Sequence, residues 1–260
     1  MLLAIDIGNT NIVLGVWNGE DWLAQWRLRT VRNRTADELG IQLRSLIDDN
    51  EVIGVIDRIV LCSVVPKLTL AADQACQRYL HIKPLILTND LDLGIQNNTD
   101  VPSLVGADRL ANSAAAHAEA EKDTAVIVID MGTATKLDVV TSDGCFLGGI
   151  ISPGLSITAD ALFSRAAKLS QVDLQAPPNI IGRNTVHAIQ SGLVNGYATM
   201  IEGLIPKLIQ EIHELDPAAK RVQSIGTGGL ITVIADVTDV IHHVDPWLTL
   251  KGLQIIADRN

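Results

Sequence analysis

The chain has 260 residues, 47% hydrophobic and 19% charged, with a formal net charge of -10. That length suits two domains of about 100–150 residues, and the acidic balance excludes a sequence-independent grip on nucleic acid, which needs clustered Lys and Arg. No stretch approaches the ~18 consecutive apolar residues of a membrane span, and the start Met1-Leu2-Leu3-Ala4-Ile5 lacks the marks of a signal peptide, so no membrane partner and a cytoplasmic location are expected.

In chain order, an apolar strand ends in Asp6-Ile7-Gly8-Asn9-Thr10, and a second, Ile12 to Trp17, runs into the hairpin signal Asn18-Gly19. Thr35-Ala36-Asp37-Glu38 reads as a capping box opening a helix to about Ile47, Arg58 to Ser63 as a buried strand, and Pro66 as the start of a helix to about Tyr79. A further helix is predicted from near Leu104 through the alanine-rich Ala111 to Ala120, before a strand from Ala125 to Asp130. Asn184 can cap a long helix from Thr185 to about Leu215, kinked or broken at Pro206. The strand Val222 to Ile225 enters Gly226-Thr227-Gly228-Gly229 and another helix, and Asp245-Pro246 starts a terminal helix.

The opening recurs near the midpoint. Ala4-Ile5-Asp6-Ile7-Gly8-Asn9-Thr10 matches Val128-Ile129-Asp130-Met131-Gly132-Thr133-Ala134, and Leu137 to Thr141 again leads to a hairpin signal, Ser142-Asp143-Gly144. Two copies of one α/β unit follow, with the junction placed between residues 1–121 and 122–260.

Asp-x-Gly at a strand end sets a carboxylate at a sheet edge, while glycine lets the turning backbone approach an anion without a Cβ in the way. Either copy alone is also an ordinary turn. Together, the turns Gly8 to Asn11 and Gly132 to Thr135 can face each other across a cleft and hold a triphosphate, with Asp6 binding Mg²⁺ through water and Asp130 helping to hold a second cation. The Gly226 turn would pack against the nucleoside. In Gly106-Ala107-Asp108-Arg109, Asp108 is the candidate to orient an alcohol and accept its proton, and Arg109 can grip a carboxylate or phosphate with two hydrogen bonds; an Asp-Arg pair stabilising a helix start is the plainer reading of the tetrapeptide. Gly148 to Gly154 can wall the same cleft or be a simple proline-glycine turn.

Other conspicuous residues receive no role. Cys62, Cys76 and Cys145 lack zinc or redox spacing and are expected to be buried free thiols. The six histidines show no metal spacing, and Trp17, Trp22 and Trp26 are assigned to packing.

Jointly these motifs resemble the type III pantothenate kinases, also called the Bvg accessory factor family. The resemblance spans nearly the whole chain and rests on Asp6 to Asn11, Gly106 to Arg109, Asp130 to Thr135, Gly148 to Gly154, Ile181-Gly182-Arg183-Asn184-Thr185, Gln190-Ser191-Gly192 and Thr227-Gly228-Gly229. It implies a duplicated ribonuclease-H-like, actin-like ATPase fold with mixed central sheets flanked by helices and an interdomain cleft. It implies ATP-dependent phosphorylation of pantothenate, the first step of coenzyme A synthesis. Asp6, Ile7, Gly8, Asn9, Thr10, Asn11, Ile12, Val13, Gly132 and Thr133 would bind ATP; Gly106, Ala107, Asp108, Arg109 and Thr185 would bind pantothenate, with Asp108 accepting the proton. It further implies Mg²⁺ with the nucleotide, a monovalent cation (potassium or ammonium) at Asp130, and a homodimer with active sites near the subunit interface. Three departures stand out. Asn98-Thr99-Asp100-Val101-Pro102 lacks the family's common pocket tyrosine, Leu104 replaces a common glutamate, and Lys136 stands where a threonine often follows. These changes keep a kinase of another small alcohol, a non-catalytic ATP-binding regulator and a hydrolytic ATPase as alternatives. Lys136 either points into the cleft or lies on the outer face of its hairpin, and strand alternation is compatible with both.

Overall fold

A computed structural model describes residues 1–48, 56–166 and 171–260. They form two compact units, one of Met1–Ala118 with Leu248–Asn260 and one of Glu119–Trp247.

In the first unit, β1 (Leu2–Ile7), β2 (Asn11–Trp17), β3 (Trp22–Arg29), β4 (Arg58–Ser63) and β5 (Leu85–Ile86) form a sheet in the order β3-β2-β1-β4-β5. The β1–β2 and β2–β3 pairs are antiparallel, whereas β1–β4 and β4–β5 are parallel. Strand β1 is buried along nearly its whole length, as a central strand covered on both faces must be, and the edge strand β3 alternates between half-buried and exposed. Helices α1 (Ala36–Asp48) and α2 (Pro66–Ala75) pack on each other, and Leu39, Leu43, Ile47 and Leu68 join Leu3, Ile5, Ile7 and Leu61 in one core. The capping box forms as predicted: Glu38 N–H donates to Thr35 Oγ1 at 3.2 Å, and Thr35 N–H donates to Glu38 Oε2 at 2.8 Å. Helix α2 continues past Ala75 as a π turn over Cys76–Leu80 that ends on His81 in the left-handed region, φ 59°. A short strand, β6 (Gln96–Asn97), precedes α3 (Ala107–Glu119).

The second unit repeats this plan. Strands β7 (Thr124–Met131), β8 (Ala134–Val140), β9 (Cys145–Pro153), β10 (Arg221–Thr227) and β11 (His243–Val244) follow the order β9-β8-β7-β10-β11, with antiparallel pairs on one side of β7 and parallel pairs on the other. Each strand thus has its counterpart in the first sheet, which establishes the duplication and the ribonuclease-H-like topology of both units. Helices α4 (Leu155–Arg165), α5 (Thr185–Gln190), α6 (Gly196–Leu215) and α7 (Ile231–Ala235) belong to this unit.

Three expectations change. The last helix, α8 (Leu248–Arg259), belongs to the first unit rather than to the stretch 122–260 in which the sequence reading placed it. It closes on alanine-rich α3 so tightly that a Cβ on Gly252 would come within 1.8 Å of the Ala111 carbonyl oxygen; Thr249 Oγ1 donates to the buried Asn112 Oδ1 at 2.7 Å, and Arg58 pairs with Asp258 at 2.9 Å. The long helix is not broken at Pro206, which lies exposed inside α6, where water can satisfy the carbonyl that proline leaves without a donor. A π turn at Ser191–Asn195 joins α5 to α6. Finally, Cys62 and Cys76 are buried but Cys145 only partly so; none of the three is in a disulfide, and burial pushes Cys76 up to about 12.

Candidate active site

The first turn is built at the end of β1. Asp6 stands opposite Val13 on β2 and Cys62 on β4, and Gly8 N–H donates to the Asn11 carbonyl at 2.9 Å, closing the loop. Asn9 and Thr10 are exposed at its tip, whereas Ile7 and Ile12 are buried in the core. Those two can offer a ligand only their backbone. The end of β3 buttresses the turn: Thr30 Oγ1 donates to the Gly8 carbonyl at 2.7 Å, Thr30 N–H donates to the Thr10 carbonyl at 2.9 Å, and Arg32 donates to Asn9 Oδ1 at 3.3 Å. Thr30 and Arg32 escaped the sequence reading because they lie 22 and 23 residues from their partners, with no motif of their own.

Asp108 and Arg109 occupy the first turn of α3, both half-buried. The Asp108 carboxylate folds back over Gly106: Arg109 N–H donates to its Oδ1 at 2.9 Å, and a Cβ at 106 would lie 2.6 Å from the same oxygen. Glycine at 106 is therefore what lets the carboxylate lie across the helix start. The packing of α8 on α3 fixes the helix that carries it. Upstream, the departing stretch is tied by amides: Asn97 donates to Asn89 Oδ1 at 2.7 Å, Asn89 donates to the Pro102 carbonyl at 3.0 Å, and Thr99 Oγ1 donates to Asn97 Oδ1 at 2.8 Å. Leu104 stands 81% exposed beside it.

In the second unit three glycine segments meet. Gly132 N–H donates to the Ala134 carbonyl at 3.1 Å, and Gly154 N–H donates to the Thr133 carbonyl at 3.2 Å. A Cβ on Gly154 would lie 2.3 Å from that oxygen. Gly228 has φ +94°, and a Cβ there would meet the Met131 backbone at 2.6 Å and Asp130 Oδ1 at 2.7 Å. The Gly148 to Gly154 segment and the Gly226 turn thus both pack directly on the Asp130 turn.

Lys136 resolves the question left open by alternation. It lies directly opposite Asp130 in the β7–β8 ladder, and its Nζ sits 2.7 Å from Asp130 Oδ2, with the two side chains 12% and 13% exposed. The potassium expected beside Asp130 therefore meets a carboxylate already paired with a protein cation. Thr185 is the first residue of α5 and exposed, and Asn184 caps that helix by accepting from His187 N–H at 2.8 Å. Among the described residues no cluster of three or more His, Cys, Asp or Glu could hold a metal, and no helix is long and apolar enough to cross a membrane.

Comparison with known proteins agrees with these features. The model of the type III pantothenate kinase family matches residues 2–207, a span that includes both Asp-x-Gly turns and the Gly106–Arg109 helix start. A type III pantothenate kinase of Roseiflexus sp. (strain RS-1) is 44% identical over 265 residues, covering 100% of this chain and 99% of the relative. One from Myxococcus xanthus (strain DK1622) is 41% identical over 261 residues with the same coverage. Two solved structures share the fold at identities too low to speak of more. A conserved Baf-family protein of Campylobacter jejuni, described as a transcriptional activator, aligns with a TM-score of 0.55 at 20% identity, covering 98% of this chain and 97% of its own. Component A of the Acidaminococcus fermentans (R)-2-hydroxyglutaryl-CoA dehydratase gives 0.53 at 13%, covering 98% and 95%. The duplicated sheets, the paired turns and the full-length relatives lead to one conclusion: the chain belongs to the type III pantothenate kinase family.

Proposed function

We propose that the protein phosphorylates the primary hydroxyl of pantothenate with ATP, and that Asp108 is the proton acceptor. The observation that carries the assignment of Asp108 is its carboxylate held across the start of α3 by the Arg109 N–H, over a glycine that leaves room for it. The hydroxyl oxygen attacks the γ-phosphorus in line, the bond from that phosphorus to the β–γ bridging oxygen breaks, ADP leaves, and the hydroxyl proton passes to Asp108. Positioning and electrostatics supply most of such a rate enhancement, because the transferring phosphoryl group needs little covalent help.

Asp6 to Val13 and Gly132 to Thr133 are assigned to ATP. The turns bind through backbone N–H groups, which suits a protein of net charge -10 that must still hold a polyanion. Gly106 to Arg109 and Thr185 are assigned to the acceptor, with Arg109 on the pantothenate carboxylate. The Asp6 carboxylate, half-buried at the turn, is a hard oxygen donor of the kind Mg²⁺ takes through retained water, and Mg²⁺ there would neutralise phosphate charge. A homodimer, with Thr185 reaching the partner's acceptor pocket, completes the proposal; the exposed Ile180 and Ile181 just before α5 support it.

The departing acceptor stretch favours one second reading, a kinase of another small alcohol: the Thr99 hydroxyl is engaged by Asn97, and Leu104 offers an apolar surface where the family commonly has glutamate. The test is ADP release with ATP and Mg²⁺, with and without pantothenate and with pantothenate-like alcohols, each product identified by mass. Pantothenate-dependent ADP with phosphopantothenate is expected. A phosphorylated product from another alcohol alone transfers the assignment to that acceptor, and ADP release indifferent to any alcohol indicates a hydrolytic ATPase.

A further inference from the structure

We infer that the Lys136 ammonium is a built-in monovalent cation, so that phosphoryl transfer by this chain needs no added potassium or ammonium; the inference rests on the kinase reading above. The register of the second copy puts the lysine there. In the first copy four residues, 8–11, separate the paired Ile7 and Ile12, and Val13 stands opposite Asp6. In the second only three, 132–134, separate Met131 from Thr135, so residue 136 stands opposite Asp130. Directly opposed residues of an antiparallel pair share a face, and a lysine at that position reaches the carboxylate.

The contact is close and sheltered: 2.7 Å, with both side chains nearly buried. A single positive charge at hydrogen-bond distance is what potassium would bring to Asp130, and removing the ammonium would take that charge away from a largely buried carboxylate. Asp138 follows on the same face of β8 and is 1% exposed. With the ammonium gone, that face would keep two carboxylates and a space of the lysine's size, which suits K⁺ or NH₄⁺. Asp130 Oδ1, meanwhile, lies against the Gly228 turn, so the ion pair fixes the carboxylate on which two of the three glycine segments rest.

The experiment compares wild type and Lys136→Ala in choline-based buffer free of potassium and ammonium, then with each ion added, and follows phosphopantothenate formation. In parallel, thallium(I) binding to the nucleotide-loaded proteins is measured by calorimetry. The wild-type rate is expected to be unchanged by either ion, with no saturable thallium binding. Lys136→Ala is expected to lose about 100-fold without the ions, in keeping with removal of one electrostatic stabiliser, and to regain activity and bind thallium when they are supplied. Wild type that is silent without potassium, or that binds thallium saturably, overturns the inference while leaving the kinase reading intact. If wild type forms no product under any cation, the kinase reading fails, and with it the claim about phosphoryl transfer; thallium binding to wild type then decides whether Lys136 fills the cation position. If Lys136→Ala does not melt cooperatively, the wild-type measurements decide alone.

Discussion

The two copies of the strand-turn-strand unit share a strand order and an Asp-x-Gly turn, but they stabilise those turns differently. The first turn is open at its tip and braced from the side by Thr30 and Arg32, with neutral Val13 across from its aspartate. The second, whose Thr133 is likewise exposed, has Gly154 and Gly228 pressed on its backbone and an ammonium on its aspartate. Duplication preserved the topology, and one residue of turn length was enough to change which side chain answers each carboxylate.

The two copies should agree in their cores. Ile5 and Ile129 occupy matching positions before the two aspartates, each 1% exposed or less. Either residue changed to Ala should cost about 2–5 kcal/mol in denaturant unfolding, as loss of a core isoleucine does. A much smaller cost on one side would show that the two cores are unequal.

The turns should then differ. Gly154→Ala forces a methyl into the Thr133 carbonyl and should cost about 1–3 kcal/mol as overpacking against backbone, whereas Gly8→Ala meets only the Asn11 carbonyl at 3.1 Å and should cost less. Equal costs would show that the packing of Gly154 on the second turn is no tighter than the contacts of Gly8 in the first. Below these, Thr35→Ala removes the side-chain cap of α1 in the first unit, at about 1 kcal/mol, read by chemical denaturation.

The smallest effect concerns the hairpins. Asn18, which does not titrate, accepts from Glu20 and Asp21 N–H groups in the first. In the second, the Thr141 hydroxyl donates to Asp143 and holds its carboxyl below the usual aspartate range. Because the folded pKa is the lower one, this contribution is complete above about pH 4, the range of an unfolded aspartate, and is lost as pH falls through the folded value. Acidification should therefore raise amide hydrogen exchange in the β8–β9 hairpin more than in β2–β3, and Asp143→Asn should abolish that difference.

Much of this was legible in the sequence. The recurrence of apolar strand, Asp-x-Gly and hairpin signal announced the duplication, and the capping box and the Asn184 cap appear where side-chain chemistry placed them. The offset at Lys136 was not legible, because register follows from how many residues a turn uses, and alternation is blind to a one-residue difference there. Nor was the partner of α8: an apolar stripe says that a helix buries a face, not which unit receives it. Thr30 and Arg32 were missed for the same reason, since only strand pairing brings the end of β3 to the Gly8 turn.

The central claim, that Asp108 serves phosphoryl transfer to an alcohol, is tested most directly by comparing wild type and Asp108→Asn in pantothenate-dependent ADP release, with ATP affinity measured alongside by calorimetry. Turnover is predicted to fall by at least about 100-fold with ATP affinity largely unchanged, as loss of a general base requires. Near-normal turnover in Asp108→Asn would contradict the account.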